Sequence, residues 1–129
     1  MSEKLKIMII DDEEIVGKRL SPALEKRGDT VESFVNSKKA LTRLSEDNFD
    51  IVITDIRMDE IDGLEVLDYV KEHSKDTKVI MITGYATVEV AREALTKGAF
   101  DFIAKPFKPD DLRSIINKAA KQINAESSA

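Results

Sequence analysis

Residues 7–16 read IMIIDDEEIV, so four apolar side chains run straight into four acids. Ile7, Met8, Ile9 and Ile10 make a continuous apolar run of strand length, which suits a strand buried on both faces. Asp11, Asp12, Glu13 and Glu14 suit the first turn of a following helix, where carboxylates offset unsatisfied amides. Capping explains part of this acidic run and leaves the remainder in want of a partner.

Outward from this stretch the same unit repeats. After the acids, Ile15, Val16, Leu20, Ala23 and Leu24 recur at helical spacing, and Gly28 supplies a helix end. Pro22 inside that helix removes one hydrogen bond and predicts a bend rather than a break. The alternating TVESF (30–34) reads as an edge strand, followed by a short helix through Leu41 and Leu44 opened by Asn36 or Ser37. DIVITD (50–55) precedes a helix through Leu64, Val66, Leu67 and Val70. KVIMIT (78–83) precedes one through Val88, Ala91, Ala94 and Leu95 that closes at Gly98. FDFIA (100–104) is the last strand, and Pro109 opens a helix with Leu112, Ile115, Ile116, Ala119 and Ile123 inward. Five apolar strands alternating with five helices predict an α/β doubly wound parallel sheet covered on both faces. Residues 125–129 read as a frayed tail or the start of a linker.

The 129 residues suffice for one domain with a real core. A net charge of −5 argues against holding a nucleic-acid backbone, and no apolar run approaches a membrane span. The absence of cysteine removes disulfides and thiolate metal sites and favours the cytoplasm. No output segment is apparent after Ile123, so the chain reads as a stand-alone or excised unit.

In open α/β sheets, ligands bind outside the carboxyl ends of the strands. The first strand ends in Asp11-Asp12, the third in Asp55, the fourth in Thr83 and the fifth in Lys105. Three carboxylates within about 5 Å repel by roughly 3 kcal/mol per pair at an effective dielectric of 20. Lys105 offsets one of them, and the rest call for a cation. All the donors are oxygens, which favours Mg²⁺, with Mn²⁺ or Ca²⁺ behind it. Mg²⁺ held by few carboxylates keeps waters and accepts phosphate oxygens, which points to phosphoryl chemistry.

At these positions the chain resembles the receiver domain of bacterial two-component response regulators. IIDDEE, DIVITDIRMDEIDGLEVL, VIMITGYA and GAFDFIAKPF carry the resemblance in order, over about residues 4–124. TGYATVEVAREALTKGAFDFIAKPF (83–107) is similar to receivers of enhancer-binding transcription activators. The resemblance implies a flavodoxin-like sheet of order 2-1-3-4-5. It implies a signalling domain that assists its own phosphorylation and dephosphorylation rather than an enzyme. Asp55 would be the phosphoacceptor, attacking a phosphohistidine as a carboxylate nucleophile. Asp12 would bind Mg²⁺ directly, Asp11 mainly through water, and Arg57 through its backbone carbonyl. Thr83 and Lys105 would hold the phosphoryl oxygens, Phe102 would report the state by its rotamer, and Lys105-Pro106 would be cis. The partners implied are a sensor histidine kinase or phosphotransfer protein, and a second copy through the fourth helix, fifth strand and fifth helix. Asp59 departs from the proline usual in the family, and Phe102 lacks the phenol many relatives carry.

A flavin site would need a phosphate cradle where this chain has DDEE. A haloacid-dehalogenase-type phosphatase would want an acid at Arg57. A pseudo-receiver, acting only as an interaction module, is the alternative from another class. His73 reads as a solvated helix-end residue and Met58 as core filler, while Tyr85 suits either the site or the surface.

Overall fold

The computed structural model describes residues 4–58, 61–84 and 88–128. Elements alternate as β1 (Lys6–Ile10), α1 (Glu14–Glu25), β2 (Thr30–Phe34), α2 (Ser37–Glu46), β3 (Ile51–Asp55), α3 (Gly63–His73), β4 (Lys78–Thr83), α4 (Val88–Thr96), β5 (Asp101–Ala104) and α5 (Pro109–Ser128). All strand pairs are parallel, in the order β2-β1-β3-β4-β5. This is the doubly wound parallel sheet expected from the apolar runs, in the 2-1-3-4-5 order that the family resemblance implies.

Strand alternation explains why the central runs are apolar throughout. Ile7 and Ile9, Ile51 and Ile53, and Ile80 and Ile82 pack on one face with Leu20 and Leu24 of α1 and Leu112, Ile116 and Ala119 of α5. Met8 and Ile10, Val52, and Val79 and Met81 pack on the other, against Ala40, Val66, Leu67, Val70 and Ala94. Each fully buried aliphatic side chain contributes about 1.5–3 kcal/mol, so the core is centred on β1, β3 and β4. Their carboxyl ends are correspondingly well fixed.

The helix boundaries follow local chemistry. Asn36 caps α2 by accepting from the Lys39 amide at 3.0 Å. Asp62 and Glu65 form a reciprocal capping box at α3. α1 runs unbroken through Pro22 and closes before Gly28, whose φ of +98° few residues with a Cβ adopt. Beyond that turn, the buried Asp29 carboxylate accepts from the Leu5 amide at 2.9 Å and from Arg27 Nη1 at 2.7 Å. Arg27 also donates through Nε to Asn117 at 3.0 Å, tying the turn to α5.

One expectation is corrected by the fold. Residues 125–128 are helical, because α5 continues to Ser128. Glu126 holds that end down, accepting from Lys78 Nζ at 2.9 Å and from Gln122 one turn earlier at 3.2 Å. Of the apolar residues that mark α4 in the sequence, only Ala94 is fully buried, while Val88 is 67% exposed and Leu95 49%. The helix rests on Val90, Ala91 and Ala94, and Val88 and Leu95 lie around its side. Ile15 is also exposed, since α1 makes its buried contacts through Gly17, Leu20 and Leu24. His73 is exposed and stacks on Tyr69, and Met58 packs at the margin of the second core. Among the described residues, no helix is long and apolar enough to cross a membrane.

Candidate functional site

Register brings the polar strand ends together. Ile10 pairs with Thr54, Asp55 with Ile82, and Thr83 with Ala104. Asp11, Asp55, Thr83 and Lys105 therefore come out along one edge of the sheet. Backbone bonds carry the sheet pattern past the strand ends: Asp11 N to Phe34 O at 3.0 Å, Ile56 N to Ile82 O at 3.2 Å, and Lys105 N to Thr83 O at 2.8 Å. The Lys105-Pro106 peptide is cis, as expected.

Asp11 and Asp55 are buried and Asp12 is exposed, and one oxygen from each lies within 4.8 Å of the others. Asp11 Oδ1 accepts from the Glu13 amide at 2.9 Å, and Asp55 Oδ1 from the Arg57 amide at 3.3 Å. Asp11 Oδ2 sits 2.8 Å from the Lys105 ammonium and, among the described residues, has no hydrogen bond of good geometry. A buried carboxylate oxygen in that condition suits a cation, and the donor set is entirely oxygen. The residues present therefore fit a hard divalent ion such as Mg²⁺.

Lys105 Nζ reaches three carboxylates: Asp11 at 2.8 Å, Glu13 Oε1 at 2.9 Å and Asp55 Oδ2 at 3.2 Å. Burial works against its charge, yet Asp11, Glu13 and Asp55 outweigh that and hold its pKa above the ordinary lysine value. The same ammonium holds Glu13 below the usual glutamate range. Burial pushes the Asp11 carboxyl up, with the Asp55 charge adding to the rise, against the lowering by Lys105 and the Glu13 amide.

A carboxyl raised in the folded state contributes stability below its unfolded value and loses it as pH rises through the raised one. Without metal, Asp11→Asn should therefore gain on the wild type as pH climbs through that window. Urea midpoints of both proteins across the range check this, and a difference independent of pH would contradict it.

Thr83 is completely buried. Alternation along β4 turns it to the face that carries Met81, and Phe102, paired with Met81, packs at the margin of that same core. Thr83 and Phe102 thus share the α4 side of the sheet, whereas the Lys105 ammonium meets the acids. Arg57 follows Asp55 with its side chain exposed. Tyr85 and Asp59, both singled out in the sequence, lie outside the described residues.

Two residues escape a reading of the sequence. Glu13 bonds Lys105 across 92 positions, but its place in an acidic helix start already explains a glutamate there. Gly63 is the other. A Cβ there would stand 2.2 Å from the Asp55 carbonyl oxygen and 2.7 Å from Ile56 Cα. Only glycine lets α3 begin this close to the end of β3, where the Gly63 amide also donates to the Ile56 carbonyl at 2.8 Å.

Residues 7–117 match the model of the response regulator receiver domain. The chain is 41% identical over 114 residues to the regulatory protein AtoC of Escherichia coli, covering 88% of this chain and 25% of that protein. It thus spans about a quarter of the length of such curated relatives. A crystal structure of a CheY-like response regulator receiver domain protein from Methanospirillum hungatei superposes with a TM-score of 0.91 at 28% identity, over 96% of this chain and 99% of that one. The solution structure of the beryllofluoride-activated NtrC4 receiver domain dimer gives 0.87 at 32% identity, over 92% and 98%.

Proposed function

The chain belongs to the response regulator receiver domain family, and from that premise we propose that Asp55 is its phosphoacceptor. The observation that carries the reading is the trio of Asp11, Asp12 and Asp55 at the strand ends, with Lys105 bonded into it. One Asp55 oxygen forms a bond to phosphorus as the donor's P–N bond breaks. The leaving imidazole, protonated on its other nitrogen, takes the electron pair and departs neutral. Asp12, Asp11, Asp55 and the Arg57 carbonyl would hold Mg²⁺, which when bound supplies positive charge to the phosphoryl oxygens. Lys105 offsets charge on the entering phosphoryl group from the β5 side, and Thr83 donates its hydroxyl to one of those oxygens.

The phosphoryl group brings about −1.5 to −2 charges and three strong acceptors to the strand ends. Movement of Thr83 toward one of them leaves space on the α4 side of the sheet, into which Phe102 turns. The surface of α4, β5 and α5 is then the one a partner reads. The exposed Val88 and Leu95 give that surface apolar area, and a second copy of the chain is one occupant it suits. The donor is a sensor histidine kinase or phosphotransfer protein in the cytoplasm. With a net charge of −5, this segment has no part in holding nucleic acid.

The test is incorporation of phosphoryl from acetyl phosphate with Mg²⁺, followed by intact-protein mass. Labelling that is lost on chelation supports the reading, and no labelling under any metal condition sinks it. Gly63→Ala gives a geometric corollary, because its Cβ must push the Asp55–Ile56 backbone aside. We expect a stability loss of about 1–3 kcal/mol, as for overpacking, with slower labelling in the molecules that remain folded. Urea midpoints and initial labelling rates read the two effects, and wild-type values for both would refute it.

A further inference from the structure

We infer that Glu13 is a displaceable counter-anion for Lys105, a positioning residue that holds the ammonium before phosphorylation and yields it to the phosphoryl group. The inference rests on the reading of Asp55 as phosphoacceptor. An ammonium has three N–H donors and no more. Here three carboxylates surround it, and the exposed Glu13 sits nearer than Asp55, at 2.9 Å against 3.2 Å. A phosphoryl group on Asp55 takes over the place of the Asp55 oxygen on Lys105, and its further oxygens then compete with Glu13 and Asp11 for the same ammonium. Asp11 is the poor candidate to give way: its side chain is 1% exposed, and leaving the cation would strand a buried charge. Glu13 is the ready one. Its side chain is 62% exposed, so water takes over solvation of its carboxylate when the bond is released.

Among the described residues, the Glu13 carboxylate has no ion pair or side-chain hydrogen bond besides that to Lys105. Although Glu13 stands at the cap position of α1, its side chain makes no capping hydrogen bond, so release leaves the helix start undisturbed. Charge points the same way. Phosphorylation removes the charge of the Asp55 carboxylate but adds a nearly dianionic group, so the site gains up to one negative charge. Of the four acids, Glu13 has the freest route away from that charge. Its bond to Lys105 therefore opposes the phosphorylated state, and the strength of that bond sets part of the threshold for switching.

Glu13→Gln removes the charge and keeps the shape. In Mg²⁺, titration with beryllofluoride, followed by the amide resonances of Asp55 and Ile56, gives the apparent affinity for the phosphoryl mimic. The variant should bind it about two- to fivefold more tightly, the scale of one exposed ion pair. The gain should vanish when the same substitution is compared in a Lys105→Ala background, since Glu13 acts through that ammonium. Affinity for Mg²⁺ alone should stay within about twofold, as expected of a residue that is not a metal ligand. Equal mimic affinity in wild type and Glu13→Gln overturns the inference and leaves the phosphoacceptor reading standing. A gain that persists without Lys105, or a tenfold loss of Mg²⁺ affinity, also overturns it. A wild type that binds no mimic in Mg²⁺ overturns both.

Discussion

Asp55→Asn should take up no phosphoryl group from acetyl phosphate or from a kinase, while folding as the wild type does. The amide fills the same volume but offers no anionic oxygen to attack phosphorus, so this is a loss of chemistry rather than a slower rate. The substitution also removes one of the three clustered carboxylates, which relieves repulsion when no metal is present. Its urea midpoint in chelator should therefore be at least that of the wild type. Magnesium separates the two proteins further. A ligand at a hundredfold excess over its Kd stabilises a fold by about 2.7 kcal/mol, and a site short of one carboxylate should gain less at the same concentration. Mass spectra and paired unfolding curves measure all of this, and labelling of the variant at the wild-type rate would show that Asp55 is not the nucleophile.

Lys105→Ala should separate phosphorylation from response. The nucleophile and the metal-binding acids remain, so the variant still accepts phosphoryl from Mg²⁺-bound donors. Moving a two-state equilibrium from 1:99 to 99:1 needs roughly 5.5 kcal/mol of differential stabilisation. One charge-assisted hydroxyl bond from Thr83 contributes about 1.5–3 kcal/mol, which falls short. Lys105 has to provide much of the difference, so spectra of α4, β5 and α5 should hardly move when beryllofluoride is added to the variant. Thr83→Ala, in contrast, should respond in part. Removing the ammonium also leaves the buried Asp11 without its cation. That should cost about 2 kcal/mol in metal-free buffer, a buried-pair loss reduced for the partial exposure of Lys105, and Mg²⁺ should restore part of it. A full wild-type spectral response in Lys105→Ala would remove it from the switch.

Much of this architecture is legible in the sequence because two periodicities differ so clearly. The runs at 7–10, 51–54 and 79–82 have no polar face, and only strands buried on both sides need that. Once the strands are identified, the rule for strand ends brings Asp11, Asp12, Asp55, Thr83 and Lys105 to one rim. Other features are not legible, for reasons of geometry. Val88 and Leu95 carry the same apolar signal as Ala94, and which side of a nine-residue helix meets the sheet depends on how it is tilted. The tail at 125–128 is polar, and its tie to the body runs from Glu126 to Lys78, 48 residues away in the chain. Glu13 is hidden by redundancy, since a helix start already accounts for an acid there. The need for glycine at position 63 arises from a backbone approach that no local pattern records.

The strand order has one more consequence. β1 and β3, which supply the acids, lie in the middle of the sheet, and β4 and β5, which supply Thr83 and Lys105, lie wholly to one side. With the roles proposed above, information leaves the site in a single direction, toward the β5 edge. On the same reading the opposite flank, β2 with α2, supplies no moving part: it completes the core and holds the end of β1, where Phe34 accepts from the Asp11 amide. With those roles the domain would act as a diode, and sequence change on the β2 flank would be absorbed as altered stability without altering the message.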